Sequence, residues 1–194
     1  GKGSASSLVD VGKVTAELHR RLKIEGDGLE SLSAKMLDAS RMMDESAQES
    51  AVTFAQMARN WEVGADDYDN ALEKMFYASQ QSGLGLVRLQ MTMTGLGPLL
   101  RGLGYDFDQA TAFITQMYEA GMDTNELSYA LRSAFKALQE KGLDPGYHLP
   151  VFIQGIKEAT SEMQALTLAS DIFGSGMFGG RSMAVMVDAI RKGT

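Results

Sequence analysis

The residues best suited to enzyme chemistry are a glutamate followed by a serine and, farther along, a glycine-rich segment that contains a glutamine. The pair is Glu30-Ser31, and the segment is Gly83-Leu84-Gly85-Leu86-Val87-Arg88-Leu89-Gln90-Met91. A glutamate whose pKa is raised by its surroundings is the general acid of many enzymes that cleave glycosidic bonds. The sequence offers no neighbour that would raise the pKa of Glu30, so we interpret Glu30 as a solvated residue in the first turn of a helix.

The same residues are similar to a motif of lytic transglycosylases, in which a glutamate before a serine is the acid and a Gly-Leu-x-Gln segment follows. The separation between Glu30 and Gly83 is much too long for that motif. In addition, Arg88-Leu89 separates Val87 from Gln90. A peptidoglycan-degrading module is therefore kept only as an alternative.

A glycine-rich run near the end has some features of a phosphate-binding loop. It reads Gly174-Ser175-Gly176-Met177-Phe178-Gly179-Gly180-Arg181-Ser182. Phosphate loops follow a strand and place a lysine against the outer phosphates, whereas here Gly180 takes the lysine position and the preceding segment has a helical period. We predict an elbow between two helices, after which the last helix, with its Met183, Met186, Val187 and Ile190 face, is the least fixed part of the fold.

The remaining polar candidates have structural explanations. Asp66, Asp67, Asp69 and Asn70 lack the glycine and the closing glutamate of a calcium loop, and they suit the start of a helix. His19 and His148 each stand alone, and Trp61 is interpreted as a packing anchor. The chain contains no cysteine. We predict no catalytic, cofactor-binding or metal-binding residue, no cofactor and no enzymatic activity.

The charge distribution argues against direct binding of nucleic acid. The formal net charge is -7, and the basic residues are scattered apart from small clusters such as Arg20-Arg21-Lys23. Phosphate backbones are bound by a basic face or stripe. The longest uncharged, mostly apolar stretch, residues 89–100, is far shorter than the roughly 20 residues that span a bilayer.

Apolar residues recur at three- and four-residue spacing almost throughout, which predicts amphipathic helices. We expect an all-α fold, an irregular bundle of about eight to ten short helices with glycine-rich turns. The first predicted apolar stripe is Leu8, Val11, Val14, Leu18 and Leu22, followed by a turn at Gly26-Asp27-Gly28. The thirteen methionines are predicted to fill the core, because a flexible thioether suits irregular gaps.

Three helix boundaries are predicted by capping residues and glycines. Asp106 with Gln109 forms a capping box before a helix that Gly121 ends. Asp123 with Glu126 then begins a helix that Gly142 ends. Ser161 with Gln164 begins another, which Gly174 closes.

The order of these segments resembles the core region of phage tail tape-measure proteins. The features that carry the resemblance are a helix pair at residues 51–61 and 69–80, a turn at Gly97-Pro98 through Asp106, a glycine-linked pair from Glu119-Ala120-Gly121-Met122-Asp123 to Ala130-Leu131-Arg132, and a closing Ile172-Phe173-Gly174. The connection Asp144-Pro145-Gly146-Tyr147, which continues to Pro150, departs from it. Residues 29–194 are thus predicted as a tape-measure core-like helical domain of a longer protein, and residues 1–28 as an N-terminal helix or linker, either native or added in cloning.

The resemblance implies a structural virion protein of a long-tailed phage or prophage that sets tail length and takes part in tail assembly and genome ejection. It implies self-association and contact with tube proteins, assembly chaperones and distal tail proteins, and contact with the host membrane during ejection. The expected location is the interior of the phage tail, and the bacterial cytoplasm during assembly. A membrane-active helical module, suggested by the weakly charged residues 83–104, is the second alternative.

Overall fold

The computed structural model describes the backbone of residues 2–173 and 179–192, and the side chains of residues 8–173 and 183–192. Within these ranges the chain forms ten α-helices and one 3-10 turn, and no strand, which confirms the all-α prediction. The helices are α1 (Lys2–Leu22), α2 (Gly26–Met42), α3 (Ala47–Asn60), α4 (Tyr68–Ser82), α5 (Leu86–Gly102), α6 (Phe107–Glu119), α7 (Thr124–Glu140), α8 (Pro145–Glu158), α9 (Glu162–Phe173) and α10 (Gly179–Lys192), with the 3-10 turn η1 at Ala65–Asp67. None of the described helices is both long and apolar enough to cross a membrane.

The chain divides into two compact units, residues 1–94 and 95–194, and the division falls within α5. In the first unit α1 packs against α2 and α3, and α2 also packs against α4. Its core is formed by fully buried side chains of Leu, Met and Phe, because these residues recur on one face of each helix. They include Leu18, Leu32, Met36, Phe54, Met57, Leu72, Met75, Leu89 and Met93.

In the second unit α7 contacts α6, α8 and α9, and α10 packs on α6, α8 and α9. The core again follows the apolar stripes of the helices. Its members include Ile114, Leu127, Leu131, Leu138, Leu149, Ile156, Ala169 and Phe173. The predicted inner face of the last helix is also buried, since Met183, Met186, Val187 and Ile190 are all at most 6% exposed.

Five turns between helices share one geometry. In each, the residue two positions after the helix has a left-handed backbone, and the N–H of the next residue donates to the carbonyl five positions before it, which is the Schellman arrangement. The left-handed residues are Asp44, Glu62, Gly104, Gly121 and Gly142. The bond from Met122 N–H to the Met117 carbonyl, 3.0 Å long, is representative. The predicted stops at Gly121 and Gly142 are confirmed.

The predicted N-terminal caps are also present. Asp106 and Gln109 form the reciprocal capping box, with Gln109 N–H donating to Asp106 Oδ1 at 2.8 Å. Asp123 caps α7 by accepting the N–H of Glu126 at its Oδ1, 2.8 Å away. At α9 the N–H of Gln164 donates to Ser161 Oγ at 3.1 Å. The predicted stop at Gly174 lies outside the described residues.

Three expected turns are wholly or partly helical. α2 begins at Gly26, so the Gly26-Asp27-Gly28 turn was predicted wrongly, and residues 23–25 form the link. Of the connection expected at residues 144–150, only Asp144 lies outside a helix, because α8 begins at Pro145. A proline is tolerated at the first position of a helix, since the N–H that it lacks would have no partner within the helix.

The turn predicted at residues 97–106 is confined to residues 103–106, because Gly97 and Pro98 lie inside α5. An interior proline costs a helix about 3 kcal/mol. Leu96 and Leu100, on either side of Pro98, are fully buried. Burial of each leucine contributes about 1.5–3 kcal/mol, which outweighs that cost.

Candidate functional site

The glutamate and serine that suggested acid catalysis lie on α2 and have different surroundings. Glu30 is exposed to solvent. Ser31 donates a hydrogen bond from its hydroxyl to Asp69 Oδ2 on α4 at 2.5 Å. Asp69 also lies 3.4 Å from the ammonium of Lys35. The hydrogen bond that Lys35 donates to the Glu73 carboxylate, together with the charge of Asp69, raises the pKa of Lys35. Ser31 therefore links α2 to α4.

The glutamine of the glycine-rich segment is in the core. Gln90 is fully buried, and its Oε1 accepts a hydrogen bond from the hydroxyl of Thr53 on α3. Its Nε2 donates to Ser50 Oγ at 3.3 Å, and Ser50 Oγ also lies 3.0 Å from the sulfur of Met36. A side chain enclosed in this way cannot contact a glycan. Gln90 is a structural residue, and its role in this buried network was missed by the sequence analysis.

The acidic residues of the expected helix start are placed as predicted. Asp66 and Asp67 belong to η1, and Asp67 is the residue before α4. Asp69, the second residue of α4, is held by Ser31 and Lys35. In the part of the chain that the structure describes, no three His, Asp or Glu side chains are grouped so that they would hold a metal ion.

The two histidines and the tryptophan contact backbone carbonyls. His19 Nδ1 lies 2.9 Å from the Ile24 oxygen, and His148 Nδ1 lies 3.1 Å from the Asp144 oxygen. Trp61 is 9% exposed, and its indole N–H donates to the Met93 carbonyl at 2.8 Å. Trp61 thus joins the end of α3 to α5 as a packing residue.

The glycine-rich elbow lies mostly outside the described residues. Nothing is described for residues 174–178, and Gly179 and Gly180 are the first residues of α10. The buried face of α10 agrees with the predicted one. The predicted looseness of the last helix stays a prediction.

A candidate surface for association is an apolar stripe on α1 whose first half is exposed. The predicted stripe is buried only in its second half, at Val14, Leu18 and Leu22. Leu8 is 73% and Val11 40% exposed, so the first half of the stripe faces solvent. α1 has 21 residues, whereas its partners α2 and α3 have 17 and 14. We call Leu8 and Val11 the α1 stripe.

Another exposed apolar residue on α1 provides a contrast. Val9 is 54% exposed. With about 100° between successive residues of a helix, Val9 points away from the face shared by Leu8, Val11 and the buried residues. The α1 stripe is therefore the continuation of the face that packs inside the first unit, and Val9 is not.

Comparison with known proteins shows which family the chain belongs to. No curated protein and no solved structure matches the chain. A family model described as "Phage-related minor tail protein" matches residues 2–193. Because this match spans nearly the whole chain, the chain belongs to the family of phage-related minor tail proteins.

Proposed function

We propose that this chain is part of a tail tape measure, a non-enzymatic protein that sets tail length and takes part in tail assembly and genome ejection. Membership in the minor tail family gives it a structural role in the phage tail and partners among other tail proteins. The tape-measure role is favoured by the order of helices and glycine turns over residues 29–191. Its place is then inside the tail, and in the bacterial cytoplasm during assembly.

The observation that carries the proposal is the α1 stripe. Apolar side chains on a helix face are buried where a neighbouring element is available. The second half of this face is buried by α2 and α3, while Leu8 and Val11 remain in solvent. A second copy of the chain is the occupant that we propose, because a tape measure acts as several copies side by side, and identical helices bury the same stripe in each other.

The non-enzymatic part of the proposal is supported by the residues that resembled a lytic enzyme. Gln90 is enclosed between Thr53 and Ser50, and Ser31 is bonded to Asp69. Both are used in packing helices together. A zymogram on purified peptidoglycan is the test, and clearing that disappears in Glu30→Gln would overturn this part.

Tail length tests the tape-measure role directly. In a phage that encodes the protein, an in-frame deletion of residues 95–194 should shorten the tails, and an in-frame duplication should lengthen them. Electron micrographs of negatively stained virions give the length distribution. Tails of unchanged length in both variants would refute the proposed role.

Sedimentation velocity tests self-association. Leu8→Asp and Val11→Asp together should shift the protein toward monomer, since charged residues at an apolar contact lose their hydration. Val9→Asp, on the opposite face of the same helix, is the matched control and should leave the distribution unchanged. A strict monomer for the unchanged chain, or an equal shift with Val9→Asp, would exclude self-association through this stripe.

A further inference from the structure

A cationic cleft of about 540 Å³ lies in the first unit, where the ends of α1 and α3 meet the start of α4. Its volume is in the usual range for ligand sites, about 300–1,000 Å³. The lining residues are Arg20, Arg21, Leu22, Lys23, Arg59 and Tyr68. Four of these six side chains are cationic, in a chain whose formal net charge is -7.

The cations of this cleft differ in how they are used within the chain. Arg20 and Arg21 contact Glu17 at 2.7 and 2.8 Å. Lys23 and Arg59 are exposed, and within the described residues their side chains make no hydrogen bond or ion pair. Glu17 therefore neutralises only part of the positive charge, and two cations are left for a ligand.

Helix ends account for some of this charge. Basic residues in a last turn complement the negative end of the helix dipole, an effect of about 0.3–1 kcal/mol each. Arg20, Arg21 and Arg59 are in such positions. The dipole does not explain why two helix ends and Lys23, which lies beyond α1, converge on one cleft.

We propose that the cationic cleft is a docking site for an acidic peptide segment of a protein partner. Guanidinium groups bind carboxylates with two parallel hydrogen bonds, and three of the four cations are arginines. The cleft is larger than one carboxylate needs, so it suits two or three neighbouring Asp or Glu side chains. Tyr68, half-buried and edge-on to Phe54 at 6.2 Å, provides a fixed wall.

Nucleic acid fits this cleft less well than a short acidic peptide. A nucleic acid strand continues past the cleft, and its affinity grows with the number of phosphates that meet a cation. Outside the cleft the chain is strongly acidic, so it repels the rest of the strand. An acidic peptide places its charges in the cleft alone. The cleft is separate from the α1 stripe, so binding of an acidic peptide there does not depend on self-association.

Fluorescence anisotropy with a labelled hexaglutamate peptide tests the proposal. Lys23→Gln with Arg59→Gln should weaken binding by about tenfold, the combined effect of two partly exposed ion pairs. Lys23→Arg with Arg59→Lys keeps the charge and should retain binding. The matched control is Arg88→Gln with Lys141→Gln, which removes the same charge from exposed positions outside the cleft and should retain binding.

Three results would overturn the proposal. One is hexaglutamate binding no tighter than that of hexaglutamine at low salt. Another is an equal loss in the control variant, which would indicate attraction to overall charge. The third is tighter binding of a six-phosphate single-stranded oligonucleotide than of hexaglutamate, which would assign the cleft to nucleic acid. Thermal unfolding of each variant confirms that the fold is kept.

Discussion

Glu45 Oε1 accepts a hydrogen bond from the backbone N–H of Leu86 at 2.7 Å, although the two residues are 41 positions apart. The second carboxylate oxygen of Glu45 accepts the N–H of Val87 at 2.9 Å. The first N–H groups of a helix have no partner within the helix. Glu45, in the turn after α2, thus caps α5, and its negative charge also lies at the positive end of the helix dipole.

Removal of this distant cap should destabilise the first unit. We expect Glu45→Ala to lower the free energy of unfolding by about 1–2 kcal/mol, since two backbone donors lose a charged acceptor. Glu45→Gln keeps one oxygen acceptor and should cost about half as much. Urea unfolding measures both. Glu30→Ala, an exposed glutamate on α2, is the control; if its effect equals that of Glu45→Ala, Glu45 has no capping role.

The two kinds of cap show which parts of the fold the sequence predicts. Asp106 and Gln109 are three residues apart, so their pairing follows from local chemistry alone. The pairing of Glu45 with Leu86 depends on how the turn after α2 lies against the start of α5, and no local pattern indicates it. For the same reason, the period of the α1 face predicted Leu8 as a stripe residue but not its exposure, which depends on how far α2 and α3 extend.

Substitutions of the buried Gln90 test whether the hydrogen bonds of its amide contribute to the free energy of unfolding. We expect Gln90→Met to change the free energy of unfolding by less than about 1 kcal/mol. The hydroxyl of Thr53 keeps a bond to the Glu49 carbonyl, and Ser50 keeps its contact with Met36, so no partner is left unpaired. Gln90→Ala should cost about 2–3 kcal/mol because it leaves a cavity. A loss for Gln90→Met as large as for Gln90→Ala would show that the hydrogen bonds dominate.

At the left-handed turn positions, a change to glycine and a change from glycine should alter the free energy of unfolding in opposite directions. Glu62 has φ 54°, a conformation that costs an ordinary residue about 1–2 kcal/mol. Glu62→Gly should therefore raise the free energy of unfolding by about 0.5–1 kcal/mol after the entropy cost of glycine. Gly142 has φ 72°, and a Cβ there would meet no atom within 4 Å. Gly142→Ala should lower the free energy of unfolding by about 1 kcal/mol through the backbone alone.

Thermal unfolding monitored by circular dichroism measures both substitutions. Gly64→Ala serves as a control, because a Cβ at Gly64 also meets no atom within 4 Å, and its φ is -71°. Should Gly142→Ala and Gly64→Ala have equal effects, the left-handed backbone would not be the cause. The cationic cleft also could not be predicted from the sequence. Arg59 joins Arg20, Arg21 and Lys23 only when α3 packs on α1.

Glu17 makes the stability of the first unit depend on pH in the acid range. Its hydrogen bonds with Arg21 and Arg20 lower its pKa from 4.5 to about 2. The unfolded chain therefore takes up the proton first as pH falls, so the stability from Glu17 is complete above about pH 4.5 and is lost toward pH 2. Glu17→Gln should be less stable than the unchanged chain at pH 7 and equal to it near pH 2. Urea unfolding between pH 7 and pH 2 measures the stability of Glu17→Gln and of the unchanged chain, with Glu30→Gln as the control. If the difference in stability between Glu17→Gln and the unchanged chain stays constant with pH, these ion pairs do not shift the pKa of Glu17.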